Sequence, residues 1–391
     1  MSIIEATSEP PASLAAPGVC EFFVFDTRRH EEMMVMDSAP SRRTFLRRAS
    51  IAAAVPVTAA ITGIGIPESA HASESGLPDF APIPPASLGP AVNQAGYHVG
   101  EIGPNLYWVT DSFYQAMFLT TRDGVVLVDA PPTIGRNLLR AIADVTKGTG
   151  RPAQVTHLIY SHHHADHIGA SSLFGRDVVR IGHEETRRVL LAEADPNRPA
   201  PTVTFRDRHV LTVGGECLEL AYHGPNHTAD NIFVYAPVHR TLMLVDVIFP
   251  GWVPFKNLAA SSDIRGWVAA HQQAMDYPWT TLVGGHLGRL GVRADVQVQQ
   301  SYVDDLMDSA RTALNTLDPT RYFQKYGPMG NAWAIFKTYL DAVSAQAAAP
   351  VTAKYAGRLA AADVFTVDNA YAMAEALRID YDVLGPFGIH P

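Results

Sequence analysis

The sequence predicts an α/β fold followed by a helical C-terminal extension, and three observations lead there. Short apolar, β-branched runs alternate with helix-patterned stretches between Tyr107 and Val283. Residues able to bind metal stand where those runs end. Beyond Val292 the chain becomes alanine-rich with helical periodicity.

Taken in order, strand-like runs from about Tyr107 to Val128 precede a helical stretch, Ile134 to Thr146. Val155 to Tyr160 is the next short run, of the kind expected for a buried strand. Directly after it comes Ser161-His162-His163-His164-Ala165-Asp166-His167, and Ile168 to Phe174 reads as the first turns of a helix. His183 marks a further helix start. The runs Cys217 to Tyr222, Ile232 to Tyr235, Thr241 to Val245 and Thr281 to Val283 follow, the last running into Gly284 and Gly285, which let the backbone turn tightly. In the extension, Ser301 to Leu317, Asn331 to Ala348 and Tyr371 to Leu377 have helical spacing and are separated by Gly327-Pro328 and by Pro350.

Four imidazoles and a carboxylate in seven residues are more than a core or an ordinary surface needs. In an extended loop, side chains at i and i+2 point the same way, so His162 and His164 can share one cation. Asp166 and His167 follow at a turn and suit a second. A plain surface histidine cluster is the competing reading, and a metal pair needs more ligands than this segment holds. Three more candidates end apolar runs: His227, Asp246 and His286. Asp246 is by itself either a metal bridge or a capped helix start.

With these motifs in order, the chain resembles the metallo-β-lactamase superfamily. The resemblance runs from about Tyr97 to Gly291 and rests on Asp129 after Gly124 to Val128, the His-x-His-x-Asp-His signature at His162 to His167, then His227, Asp246 and His286. It implies an αββα four-layer fold with the site along one edge. It also implies that His162, His164 and His227 hold one metal, that Asp166, His167 and His286 hold another, and that Asp246 bridges them. Asp129 is expected to order the ligand loop through hydrogen bonds. His163 is expected to face away, His157 to pack in its strand and His223 to belong to a loop.

A ligand set of imidazoles and carboxylates without thiolate suits two Zn2+, with Mn or Fe as alternatives. Cations roughly 3.5 to 4 Å apart share a water whose pKa falls to about 7. A bridging hydroxide oriented by the catalytic Asp166 would then attack a small lactone, lactam or ester carbonyl, with no serine or cysteine nucleophile. His164 stands where the di-iron branch has glutamate, which favours hydrolysis. β-Lactamases of the superfamily usually carry cysteine or serine at the position of Asp246, whereas lactonases, thioesterases and alkylsulfatases share the aspartate. A rival reading is a persulfide dioxygenase with one iron on His162, His227 and Asp246.

Phe249 to Lys256, directly after Asp246, is aromatic and proline-rich. It reads as a substrate-pocket wall built from Phe249, Trp252 and Phe255, with Lys256 as its one cation. Tyr107, Trp108 and Tyr114 are candidates for the opposite lip.

Upstream, Ser41-Arg42-Arg43-Thr44-Phe45-Leu46-Arg47, a weakly apolar run from Ala49 to Ile66 and a small-x-small site at Ala70-His71-Ala72 match a twin-arginine export signal. The arginine pair lies deep, so the expected start of translation is Met36, or else Met33 or Met34. The expected layout is a leader at 1–72, a linker at 73–94, the metal-binding domain at 95–291 and the extension at 292–391. The export machinery is an expected partner and the periplasm or medium the expected location.

Of 30 basic and 39 acidic residues, six and eight precede Ser73, leaving 24 against 31. That mildly acidic balance suits a small-molecule substrate and speaks against nucleic acid. No stable membrane span is expected in the mature chain. With Cys20 removed, Cys217 would have no internal disulfide partner. The extension, with Tyr322, Phe323, Tyr326, Trp333 and Phe336, is expected to pack on the core, cover the mouth of the site or form a homodimer surface.

Overall fold

The computed structural model describes residues 77–387. The body built from Ala81 onward contains two mixed sheets. The first carries seven strands in sequence order: β1 (His98–Gly103), β2 (Leu106–Thr110), β3 (Gln115–Thr120), β4 (Val125–Val128), β5 (Val155–Ile159), β6 (Val179–His183) and β7 (Val203–Phe205). β1 to β4 pair antiparallel, and β4 to β7 run parallel. The second sheet has β8 (Arg208–Val213), β9 (Glu216–Ala221), β10 (Phe233–Ala236), β11 (Thr241–Met243) and β12 (Thr281–Val283), in the order β12-β11-β10-β9-β8, with β11 and β12 parallel.

Period-two alternation decides which side chains meet. Met117, Leu119, Val126 and Val128 leave one face of the first sheet and pack with Leu218, Leu220, Val234 and Met243 of the second. Their neighbours Phe118, Val125 and Leu127 point the other way, under Leu138, Ala141 and Ile142 of α1 (Asn137–Thr146). Helices thus flank the paired sheets, giving the four-layer α/β fold.

Several details differ from expectation. β1 precedes the first expected strand; its two glycines and Glu101 hide the pattern. The stretch Ile168 to Phe174 is not one helix. α2 is a single turn, Ala165–Ile168, followed by a 3-10 turn at Ser171–Phe174. A Cβ at Gly169 would lie 2.3 Å from the Ala165 carbonyl oxygen, so only glycine permits the turn between them. His183 is the N-cap of α3 (Glu184–Glu193) and accepts from the Glu185 N–H. Cys217 is buried in β9; Cys20 lies outside the described residues, as do the arginine pair and the leader.

The C-terminal region adds α6 (Arg293–Thr316), α7 (Thr320–Tyr326), α8 (Ala332–Tyr355) and α9 (Ala362–Ile379). α8 runs straight through Pro350, where a break was expected. A proline inside a helix costs about 3 kcal/mol. Burial of Ala347, Ala348, Val351 and Tyr355 on the same helix, with Tyr355 Oη donating to Asp305 at 2.6 Å, offsets it. Of the expected packing aromatics, Tyr322 is buried, whereas Trp333 is 83% exposed. Among the described residues no helix is long and apolar enough to cross a membrane. Within the expected linker Ser87 is buried, its Oγ donates to the Gly251 carbonyl and its own carbonyl accepts from Trp252 Nε1.

Candidate metal centre

Strand ends deliver the ligands. In open α/β sheets, ligands bind outside the carboxyl ends of parallel strands, where loops from neighbouring strands converge. Asp129 follows β4, His162 to His167 follow β5, Asp246 follows β11 and His286 follows β12. His227 comes from the loop between β9 and β10.

Two donor sets result. One atom from each of His162, His164, His227 and Asp246 lies within 4.8 Å of the others, and the same holds for Asp166, His167 and His286. The carboxylate of Asp246 stands between them. Its Oδ2 is 3.1 Å from Nε2 of both His167 and His227 and 3.5 Å from His162 Nε2, while Oδ1 is 2.8 Å from His286 Nε2.

The donor chemistry fits metal ions. His162 is fully buried, with Nδ1 3.0 Å from Ser161 Oγ and Nε2 lacking any hydrogen-bond partner, as in a ring whose second nitrogen is kept for a cation. His164 Nδ1 and His227 Nε2 are 3.0 Å apart, and the Nε2 atoms of His167 and His286 3.1 Å. Lone pairs that close need a shared proton or a cation between them. Burial holds His162 well below its ordinary value and, with His227 nearby, lowers His164 to about 4, so both rings are neutral donors. Burial would also lower His167, but the Asp246 carboxylate outweighs it and raises it to about 9.

Around the ligands lies a buried polar frame. Asp129 accepts the Ser161 N–H at 2.8 Å; burial raises it to about 6 against the opposing pull of His167. Asp230, one of the polar residues beside His227 in the sequence, anchors this frame. It is 1% exposed and accepts from His163 Nδ1 at 2.8 Å, Thr228 Oγ1 at 2.7 Å and Thr186 Oγ1 at 2.7 Å, tying the signature loop to the His227 loop and α3. Burial opposes its charge, but these partners keep its pKa lowered. Asn226 and Asn231 brace the same loop, Asn231 Nδ2 reaching the Val245 carbonyl at 2.9 Å. The density of polar residues from Asn226 to Asn231 was the available signal. His157 stands 3.0 Å from Thr156 Oγ1 and His223 2.8 Å from the Tyr277 hydroxyl, both outside the donor sets.

A cavity of about 400 Å3 opens onto the ligands His164, Asp166, His227, Asp246 and His286. Phe249, Trp252 and Phe255 line it as expected positions of the wall, and Tyr114 stands opposite. Tyr107 and Trp108 do not reach it: Tyr107 stacks on Phe118, and Trp108 is buried beside His98. Lys256 is a correction. It is not in the lining and its Nζ lies 3.4 Å from Asp368 of α9, because the chain turns there. That turn, α4 (Lys256–Ala260), is left-handed, with φ of 57°, 52°, 62° and 51° at residues 257 to 260. Each such residue costs roughly 1–2 kcal/mol.

Two buried amides from the extension hold this wall. Asn369 Oδ1 accepts the Leu258 N–H at 2.8 Å and its Nδ2 donates to the Pro254 carbonyl at 2.9 Å. Gln299 of α6 accepts from Phe249 N–H at 2.8 Å and donates to the Val247 carbonyl at 2.6 Å. Its amide nitrogen also lies 2.8 Å from His271 Nε2, on α5 (Ile264–Asp276). Phe365 and Ala361 of the extension join the lining, as do Phe113, Leu287, Ala259 and Ala260. None of these six was expected from sequence.

Comparison with known proteins finds similarity over part of the chain. The sequence description of the metallo-beta-lactamase superfamily matches residues 109–286. The chain is 27% identical over 218 residues to the 2,4-dinitroanisole O-demethylase subunit alpha of a Nocardioides species, covering 54% of this chain and 64% of that relative. It is 28% identical over 175 residues to a metallo-beta-lactamase type 2 of Elizabethkingia meningoseptica, covering 44% and 68%. A solved metallo-beta-lactamase from Pontibacter korlensis, 25% identical, aligns over 52% of this chain and 97% of its own with a TM-score of 0.44. Residues 109–286 thus match the metallo-beta-lactamase superfamily, and the chain spans less than two thirds of the O-demethylase subunit's length.

Proposed function

We propose that this enzyme is a dinuclear zinc hydrolase that adds water across a small lactone, lactam or ester carbonyl. The observation that carries the reading is the pair of donor sets joined by Asp246. A one-iron dioxygenase on His162, His227 and Asp246 would leave Asp166, His167 and His286 without a task. Bound in these sets, a zinc pair supplies hydroxide at neutral pH and polarises the carbonyl oxygen.

The chain's own groups complete the chemistry. Asp166, half-exposed at the cavity, is placed to accept a hydrogen bond from the attacking water and orient it. Burial and the nearby Asp166 and Asp246 carboxylates push the Tyr114 hydroxyl up, so it stays protonated and can donate to substrate oxygen. The apolar wall excludes bulk water, which strengthens every charge interaction inside.

Elemental mass spectrometry of the purified protein tests the metal. Two zinc ions per chain are expected; one iron with oxygen consumption would overturn the hydrolase. A panel of lactones, lactams, esters, thioesters and alkyl sulfates then sorts the substrate. An activated aryl ether belongs in it, because a relative is named for demethylating 2,4-dinitroanisole.

We also propose export by the twin-arginine route to the periplasm or medium, supported by the Ser41 to Ala72 pattern, which lies outside the described residues. Replacing Arg42 and Arg43 by Lys should retain the protein in the cytoplasm, and undiminished export would refute the route.

A further inference from the structure

The cavity asks for a ligand with little charge. Beyond the metal-binding residues and the Tyr114 hydroxyl its walls are apolar, with Phe249, Trp252, Phe255 and Phe365 as the large surfaces, and no lysine or arginine lines it among the described residues. Phe249 stacks on His286 at 6.0 Å between ring centroids, so the aromatic wall reaches the ligands themselves. Phe255 and Phe365 meet at 5.0 Å and carry that wall outward.

Two cations of neighbouring segments are engaged elsewhere. Lys256 pairs with Asp368, and Arg289, whose guanidinium lies behind Gly251, makes two bonds to Asp295 at 2.6 and 3.0 Å. A carboxylate held against the wall, away from the metal donors, would shed water and meet no lysine or arginine among the described residues, which is costly. An aromatic ring would shed water at a gain and find rings to pack against. The volume lies within the range that encloses a small ligand.

We propose, building on the hydrolytic reading, that the substrate is an uncharged aromatic ester or lactone and that the site discriminates against carboxylate-bearing analogues. Water adds its oxygen to the acyl carbon, the acyl C–O bond breaks, and a proton passes to the leaving phenol or alcohol oxygen. One water is consumed and nothing is oxidised.

The test uses the metal-loaded full chain with phenyl acetate and its carboxylate-bearing counterpart 4-acetoxybenzoate. kcat/KM for the neutral ester should exceed the other by roughly tenfold or more, carried by KM. Equal values or a preference for the carboxylate would overturn the substrate class while leaving the hydrolase intact. Calorimetric binding of the ketones acetophenone and 4-acetylbenzoate, which cannot be hydrolysed, separates the two readings. Tighter acetophenone binding without turnover of any ester would support the pocket chemistry and refute hydrolysis; equal or reversed affinities would refute the pocket chemistry. Phe365→Lys, which sets a cation in the wall, should narrow the ester preference by about tenfold. An unchanged ratio in that variant would show that the wall does not select.

Discussion

The metal cradle and the apolar wall face the same cavity yet are built by opposite means. The cradle draws its ligands from the loops after four strands of one domain and is cross-braced by buried polar groups, Asp129 and Asp230 among them. The wall is an irregular segment with a left-handed turn, held in place by Gln299 and Asn369 from helices some fifty to a hundred residues further on. Chemistry and selection are therefore supported separately. Damage to one should spare the other.

The largest effect that comparison predicts is in the cradle. Asp246→Ala removes the one carboxylate shared by both donor sets, so bound metal should fall below two per chain. kcat/KM should drop on the order of a thousandfold, the several kcal/mol that metal activation supplies. A variant that keeps two tightly bound metals would sink the bridging assignment.

Acid should strike the wall's support next. His271 is fully buried between Trp267 and Gln299, and burial lowers it from 6.5 to about 4. The unfolded chain takes up this proton near pH 6.5 and the folded chain only near 4. The stability due to the neutral ring is thus complete above pH 6.5 and is lost as pH falls toward 4, by about 3 kcal/mol. Thermal unfolding from pH 7 to 4 should show this slope, and it should flatten in His271→Gln. A slope equal in both proteins would remove His271 from the account.

Asn369→Ala leaves the Leu258 N–H and the Pro254 carbonyl unpaired, at about 2 kcal/mol. KM for an aromatic ester should rise roughly tenfold while metal content stays unchanged. Loss of metal in this variant would show that the two regions are not independent. Lys256→Ala, by contrast, should alter stability by less than about 0.5 kcal/mol and leave activity as it was, since its exposed pair with Asp368 is outside the cavity. A clear rise in KM would return Lys256 to the pocket.

Much of the cradle was legible because its code is local. The spacing of His162, His164, Asp166 and His167, and the arrest of apolar runs at Asp129, Asp246 and His286, can be read along the chain without knowing what lies across it. The polar residues around His227 could be seen, but not that Asp230 would join three elements. The wall was half legible. Phe249, Trp252 and Phe255 could be read from their place after Asp246, whereas Phe113, Leu287 and Phe365 carry no signal that separates a pocket aromatic or aliphatic from a core one. Lys256 was misread because a left-handed turn reverses the direction its neighbours suggest. Pro350 misled in the same way: its local cost was visible, and the burial that outweighs it was not.

By itself, the sequence determined the alternation of strands and helices, the donor types and their order, and thereby the class of chemistry. These rest on periodicity and on side-chain identity, which a linear chain carries in full. The tertiary structure alone decided that Asp246 stands between two donor sets, that amides from α6 and α9 clamp the wall, and that no lysine or arginine among the described residues lines it. Those depend on contacts between residues far apart in the chain, where burial and hydrogen bonding across elements outweigh local preference.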